Sequence, residues 1–252
     1  MAQMVPLRFG ESWVNLTGEL ANPRYIFVTD KVAKNLLPNL AQCNVDPRDL
    51  VIEVKAGTFD VIGAFLQSKA RDFEKATAFV LLWVGMDELA FDDSALPSSL
   101  PPNIEAYFLP EGPRIFPRLS SQEVVVKYGE LVASIRTIFP NASVFSSDPA
   151  PRRSSGFAIC RATQVSKEMQ QQGDFHHHLS LIHKFHGRRC GKQVDMPGGK
   201  FPLYDHFFAD GVFPKVETWS VVFERVYAAI AVVGNFASAA ELEKLKSVKI
   251  KF

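Results

Sequence analysis

The chain has 252 residues, enough for one large domain or two small ones, and its 47% hydrophobic and 22% charged residues are ordinary for a globular protein. This composition excludes intrinsic disorder, collagen, a coiled coil and a disulfide-rich scaffold. With 28 basic and 27 acidic residues the formal net charge is +1, so a surface for nucleic acid or membrane has to be a local patch.

The cysteines and the N-terminus indicate a reducing compartment. Cys43, Cys160 and Cys190 lie far apart without a CxxC pair, which fits neither a zinc module nor a disulfide framework. The first residues hold no apolar segment of signal-peptide length, and the longest apolar runs are too short to cross a bilayer. We expect an intracellular protein, cytoplasmic or nuclear, that does not enter a membrane.

Strands and helices alternate in the first half of the chain, after a polar leader. β-rich runs predict strands at residues 25–28, 50–54 and 79–84. Apolar spacing predicts a helix at residues 32–40 and another through residues 61–66. The run at 79–84 is apolar at every position, as expected for a strand covered on both faces in the middle of a parallel sheet.

A Pro-rich loop at about residues 95–120 separates this half from the next, in which the alternation continues. Ser120 and Glu123 form a capping-box pattern before a helical stripe that ends near Phe139. The other predicted elements are a strand at 143–146, a long helix at 164–186, a weak strand at Val194-Asp195, a helix at 219–233 and a basic tail helix at 238–252.

These elements predict an α/β protein with a flavodoxin-like, three-layer α/β/α architecture and a mainly parallel five-stranded sheet. No linker interrupts residues 1–252, so we expect a single domain with its core at about residues 22–234. In such sheets functional groups lie on the loops that follow the carboxyl ends of the strands.

Four short motifs stand at those strand ends. They are Thr29-Asp30-Lys31, Gly57, Gly85-Met86-Asp87-Glu88 and, before the last long helix, Asp210-Gly211-Val212-Phe213. Their order resembles the SGNH (GDSL-type) hydrolase superfamily, which carries Gly-Asp-Ser, a glycine, Gly-x-Asn-Asp and Asp-x-x-His at these places. The resemblance spans about residues 22–234 and implies a flavodoxin-like fold.

The same resemblance implies that the catalytic groups are missing. It places the nucleophilic serine on Lys31, the catalytic histidine on Phe213 and the oxyanion-binding asparagine on Asp87, while Gly57 and the orienting Asp210 are kept. An ammonium group cannot act as a hydroxyl nucleophile, a phenyl ring accepts no proton, and a carboxylate repels an oxyanion. We therefore predict a pseudoenzyme without catalytic residues, cofactor or metal.

The retained residues then have structural roles. Carboxylates such as Asp30 and Asp210 would cap helix N-termini, and Gly57 and Gly85 would make tight turns. We also predict a buried ion-pair cluster of Lys31 with Asp87 and Asp210 in place of the catalytic machinery.

An enzyme with displaced catalytic residues is the alternative. An esterase or deacetylase of this kind would use His206 with Ser94, Ser146 or Ser147. Metal binding is not expected, because the histidines between 176 and 186 lack the i, i+4 spacing of two ligands on one helical face, and we interpret them as polar positions of a helix.

Two surfaces are candidates for partner binding. Basic side chains with the chemistry of phosphate contacts make RNA a candidate partner; they are Arg152, Arg153, Arg188, Arg189 and Lys192. Apolar side chains in the Pro-rich loop are candidates for docking a protein; they are Tyr107, Phe108, Ile115 and Phe116. The sequence favours a non-catalytic binding or scaffold module that acts through protein contacts, with RNA as a further partner, and leaves the oligomeric state open.

Overall fold

The fold is taken from a computed structural model. It describes residues 4–10, 12–17, 22–55, 58–85, 87–89, 91–92, 116–117, 119–149, 165–169, 171, 177–179, 208–209 and 213–233.

A seven-stranded sheet forms the centre of the molecule. Its strands are β1 (Val5–Phe9), β2 (Ser12–Thr17), β3 (Tyr25–Asp30), β4 (Leu50–Val54), β5 (Ala78–Leu81), β8 (Ser143–Ser147) and β9 (His177–Leu179). They lie in the order β1-β2-β4-β3-β5-β8-β9. The last five are parallel to one another, whereas β1 and β2 are antiparallel.

The five parallel strands have the flavodoxin-like order 2-1-3-4-5 when numbered among themselves, which confirms the predicted fold class. From β3 the chain passes to β4 on one side, and from β4 it passes to β5 on the other side of β3. The topological switch point therefore lies between β3 and β5. Crevices at such a point, outside the carboxyl ends of the strands, are where α/β sheets bind ligands.

Helices cover both faces of the sheet because the strands are apolar on both sides. Ile26 and Val28 belong to the core under α1 (Phe59–Ser68) and α2 (Ser121–Ile138). Phe27, between them in sequence, faces the opposite core, under two 3-10 helical turns and the C-terminal helix α3 (Val216–Val233). Successive side chains of a strand point to opposite faces, so β3 serves both layers.

The helix starts agree with the signals in the sequence. Thr58 caps α1, with its hydroxyl accepting from the Val61 N–H. At α2, Ser120 and Glu123 form the predicted capping box, in which each side chain accepts from the backbone N–H of the other residue. The predicted helix near the C-terminus is also present, as α3.

The predicted polar leader is wrong, because Val5–Phe9 and Ser12–Thr17 form the β1–β2 hairpin. Leu7 and Phe9 pack against the core, and Val14 and Leu16 are buried. Their alternation with Arg8 and Asn15 is the period of a half-buried strand.

Two predicted helices also differ. Residues 32–40 form 3-10 turns, Lys31–Asn35 and Leu37–Gln42, since Pro38 has no N–H to donate and Asn39 leaves the helical region at φ −122°. The long helix predicted at 164–186 is wrong: residues 165–169 are helical, and His177–Leu179 is strand β9, paired with β8.

The structure also contains two small ladders. β6 (Phe91–Asp92) pairs with β7 (Phe116–Pro117), and β10 (Phe208–Ala209) pairs with β11 (Phe213–Pro214). The predicted strand at Val194-Asp195, the tail helix at 238–252 and most of the Pro-rich loop lie outside the described residues.

No helix in the described ranges is both long enough and apolar enough to span a membrane.

Candidate functional site

Asp30 fixes the geometry of the switch point. It is the last residue of β3 and is fully buried. Its Oδ1 accepts from the Val32 N–H at 2.9 Å, and its Oδ2 accepts from the Gly85 N–H at 3.0 Å. Asp30 therefore caps the first 3-10 turn, as predicted, and ties it to the loop that follows β5.

Lys31 and Asp87 form an ion pair at this edge of the sheet, from Lys31 Nζ to Asp87 Oδ1. The pair is not buried as predicted, because the Lys31 side chain is 43% exposed and that of Asp87 is 18% exposed. Lys31 lies at the start of a surface 3-10 turn, where its long side chain extends toward solvent. Asp210, the third member of the predicted cluster, lies outside the described residues.

The loop after β5 has a strained backbone. Trp83 has a φ of +53°, in the left-handed region that an aromatic residue rarely adopts. Gly85 has a φ of +103°, and a Cβ atom there would lie 2.7 Å from the Phe59 ring, so only glycine fits. Buried hydrogen bonds hold this loop: Trp83 N–H donates to Ser147 Oγ at 2.8 Å, and Gly85 N–H donates to Asp30.

Glu88 is the residue of this edge to which sequence reasoning assigned no role. Only 4% of it is exposed, and its Oε1 accepts from the Phe59 N–H at 2.6 Å, at the start of α1. Its Oε2 has no hydrogen-bond partner among the described residues. Burial, aided by the negative charges of Asp30 and Asp87, raises the pKa of Glu88 to about 7.

A cleft of about 240 Å³ lies beside these groups. It is bordered by the start of α1, the loop after β5 and α2, and its lining residues are Thr58, Asp60, Asp87, Glu88, Leu119 and Lys127. Lys127 Nζ lies 3.2 Å from Asp60 Oδ2 across the cleft, and both side chains are substantially exposed. The cleft thus combines charged walls with a buried carboxyl group.

Phe213 lies against the first 3-10 turn, beside Lys34. Its ring packs 5.0 Å from Lys34 Nζ, and the neighbouring Pro214 carbonyl accepts from Asn35 Nδ2 at 3.2 Å. The strand β11 is therefore placed against the first 3-10 turn. A phenyl ring in this position supplies packing and cation–π attraction, with no capacity for proton transfer.

Two serines of the alternative enzyme hypothesis are described, and both are 1% exposed at the end of β8. Ser147 Oγ accepts from the Trp83 N–H and donates to the Asp148 carbonyl at 3.1 Å. Tyr128 holds the backbone of Ser147 on both sides, because its hydroxyl donates to the Ser147 carbonyl and accepts from the Ser147 N–H. These contacts give Ser147 a structural role.

The remaining predicted site residues have no described side chain. Those outside the described residues are Gly57, Ser94, Tyr107, Phe108, Ile115, Arg152, Arg153, Arg188, Arg189, Lys192 and His206. Phe116 lies in strand β7, which pairs with β6.

The histidine interpretation changes at two positions, because His177 and His178 both lie in strand β9. His177 lies in strand β9, where its ring stacks on Phe145 at 4.9 Å, and not in a helix. In the part of the chain that the structure describes, no group of three His, Cys, Asp or Glu side chains is arranged to hold a metal ion.

No protein-family model matches the chain, and no curated protein sequence matches it. Solved structures with a similar fold include a candidate platelet activating factor from Streptococcus pneumonia, 8% identical over 84% of each chain with a TM-score of 0.48. A candidate GDSL-like lipase from Bacteroides ovatus is 12% identical over 84% of this chain and 54% of its own, with a TM-score of 0.49.

A third is the psychrotrophic esterase EstA from Pseudoalteromonas sp., in a form inhibited by monoethylphosphonate. It is 11% identical over 84% of this chain and 99% of its own, with a TM-score of 0.43. At such low identities the similarity concerns the fold and carries no activity over to this chain. The fold class itself follows from the strand order of the sheet.

Proposed function

We propose that the chain is a non-catalytic binding module that acts through protein contacts. The observation that supports the proposal is the Lys31–Asp87 ion pair at the topological switch point. The SGNH resemblance assigns these two positions to a nucleophilic serine and an oxyanion-binding asparagine. Here they hold two opposite charges that neutralise each other.

The chemistry of the pair opposes acyl transfer at both positions. An ammonium group has no lone pair with which to attack a carbonyl carbon. A carboxylate at the oxyanion position would raise the energy of a negatively charged tetrahedral intermediate. Asp30 meanwhile uses both oxygens to hold backbone N–H groups, which is an architectural task.

A fluorophosphonate activity probe tests the proposal. We expect the full chain to remain unlabelled under conditions that label an active serine esterase in the same mixture. A panel of short-chain aryl esters should likewise be hydrolysed no faster with the protein than with buffer. Stoichiometric labelling, or ester turnover that the probe abolishes, would show that the chain is a hydrolase.

A hydrolase with displaced catalytic residues is the second candidate. It is favoured by the strained backbone at Trp83 and by the buried Glu88 beside a cleft, since strain and shifted carboxyl pKa values concentrate at active sites. If the probe labels the chain, peptide mapping identifies the serine. Loss of labelling in Ser146→Ala but not in Ser147→Ala would separate the two described serines.

RNA is the further partner class, carried by the basic residues between 152 and 192. A filter-binding titration with a single-stranded RNA tests it at several salt concentrations. Phosphate contacts would make the logarithm of the affinity fall linearly with the logarithm of the salt concentration. Affinity that is absent, or that does not respond to salt, would leave protein contacts as the proposed mode.

A further inference from the structure

The cleft lies at the edge of the sheet where the parallel strands end, which we call the carboxyl edge. Three acidic side chains line it, and described lysines pair with two of them. Asp87 pairs with Lys31, and Asp60 pairs with Lys127. The Glu88 carboxyl group accepts hydrogen bonds from the Phe59 N–H and from its own backbone N–H. Its second oxygen has no partner among the described residues, so one negative group of the cleft lacks a counter-ion.

Leaving this oxygen unpaired is costly. A buried polar atom without a hydrogen bond loses its hydration and gains nothing in return. Like charges add to this cost, because Asp30 at the end of β3 and the adjacent Asp87 both repel an ionised Glu88. Among the described residues, taken over every element at this edge, the charged groups around Glu88 are Asp30, Lys31, Asp60, Asp87 and Lys127.

We propose that the cleft binds an organic cation, an ammonium or guanidinium group on a slender alkyl chain, with Glu88 as its counter-ion. The proposal names a ligand class for the binding module above, and it rests on that proposed function only in treating the cleft as a binding site. A cation that donates to Glu88 Oε2 would supply the missing partner. It would also offset the repulsion from Asp30 and Asp87.

The size and walls of the cleft fit such a ligand. Its volume of about 240 Å³ is below the roughly 300 to 1,000 Å³ of sites for drug-sized molecules. A single extended side chain needs less room than such molecules. Leu119, at the cleft wall, offers an apolar surface for the methylene groups that carry the charge.

Glu88 can turn toward the ligand without a change of the backbone. Its carboxylate ends a side chain whose last torsion is broad and poorly restricted. Glu88 already lines the cleft, so a rotation about this bond turns its carboxyl group toward the ligand, and the bond from the incoming cation offsets the weakened bond from the Phe59 N–H. The 4% exposure of Glu88 describes the chain before such a cation enters.

Binding of a cation is linked to the ionisation of Glu88. The cation favours the charged carboxylate, so its affinity should rise with pH while Glu88 titrates around its raised pKa of about 7. The ionised fraction grows roughly tenfold between pH 6 and pH 8 for such a group. We therefore expect the apparent Kd to fall by about tenfold over this range.

Titration of the full, isotope-labelled chain followed by NMR tests the proposal. The probes are butylammonium, Nα-acetyl-lysine methylamide, Nα-acetyl-arginine methylamide and the uncharged Nα-acetyl-norleucine methylamide. We expect the cationic probes to shift the signals of Thr58, Glu88 and Leu119 saturably, and the norleucine probe to leave them unchanged. Glu88→Gln should weaken binding at least tenfold at pH 8 while keeping the shape of the side chain.

The matched control is Glu74→Gln, an exposed glutamate between α1 and β5, at the opposite edge of the sheet. It should bind like the wild type. The pH profile of the wild type needs no variant, so the test holds even if Glu88→Gln fails to fold. Tighter binding of the amino-acid amides than of butylammonium would identify a partner's basic side chain as the ligand, and equal binding a free amine; both support the proposal.

Three results would overturn it: no cation binds, the norleucine probe binds equally well, or binding depends on neither pH nor Glu88. These readouts are independent of the fluorophosphonate experiment. A labelled chain that still binds cations would refute the non-catalytic function alone. An unlabelled chain that binds no cation would refute the cation site alone.

Discussion

The parallel sheet has an amino edge, where its strands begin, and a carboxyl edge, where they end. The two edges differ in how completely their polar and charged side chains are paired. At the amino edge, Arg24 donates to Asp49 through two nitrogens, at 3.1 and 2.9 Å, and also contacts Asp46 at 3.1 Å. Arg48 adds a further pair with Asp46 at 2.7 Å. Tyr227 completes this network from α3, donating to Asp49 at 2.7 Å and accepting from the Asp46 N–H at 3.0 Å.

At the carboxyl edge, the corresponding groups are incompletely paired. One oxygen of Glu88 has no partner among the described residues, the Lys31–Asp87 pair is partly exposed, and Trp83 has a left-handed backbone conformation. The charged and polar side chains of the amino edge satisfy one another, so we assign that network a structural role. Unpaired buried groups and local strain persist where a ligand or reaction makes use of them, so the carboxyl edge is the better place to look for function.

The largest loss of stability is expected from Asp30→Ala, because Asp30 joins the first 3-10 turn to the loop after β5. The substitution leaves the buried N–H groups of Val32 and Gly85 without an acceptor. Each lost bond to a charged acceptor costs about 1.5 to 3 kcal/mol, so unfolding in urea should show a loss of about 3 to 6 kcal/mol. Asp72→Ala, which removes an exposed i, i+3 pair with Lys69, should change stability by less than about 0.5 kcal/mol.

The two edges should change the stability of the protein in opposite directions as the pH changes. The pKa of Glu88 is raised in the folded state from 4.5 to about 7, so its favourable contribution is complete below pH 4.5 and is lost as the pH rises through 7. Hydrogen bonding to Arg48 holds the pKa of Asp46 well below its usual range, so its contribution is lost as the pH falls below about 4.

Urea unfolding from pH 2 to pH 8 measures this difference. Glu88 should account for a loss of up to about 3 kcal/mol between pH 4.5 and pH 8, at 1.36 kcal/mol per pKa unit. Glu88→Gln should remove this fall in the free energy of unfolding. It should leave the loss of stability below about pH 4, which comes from Asp46, unchanged. An unchanged slope in Glu88→Gln would mean that Glu88 ionises with its ordinary pKa.

A smaller effect is expected at the amino edge from Tyr227→Phe. The change removes one donor to Asp49 and one acceptor for the Asp46 N–H, while Arg24 and the Tyr25 N–H continue to donate to Asp49. We expect a loss of about 1 to 2 kcal/mol in the free energy of unfolding. A loss as large as that of Asp30→Ala would remove the contrast, because the amino edge would then depend on one hydroxyl as strongly as the carboxyl edge depends on Asp30.

The sequence predicted the features that depend on neighbouring residues. The apolar run at 79–84 and the Ser120–Glu123 capping box are local signals, and both correspond to elements of the structure. Strand β9 was missed because helical spacing at 175–186 is overridden by pairing with β8. Glu88 was missed because its role depends on the Phe59 N–H, supplied by a helix that starts 29 residues earlier in the chain.

The smallest effect is expected from the ion pair itself. A double-mutant cycle of Lys31→Ala and Asp87→Ala should give a coupling energy of about 1 kcal/mol or less, because water screens a pair whose lysine side chain is 43% exposed. A buried cluster would give about 3 to 5 kcal/mol on loss of one partner. A coupling of that size would mean that the pair is shielded from water, and the carboxyl edge would then be held by charge pairing as firmly as the amino edge.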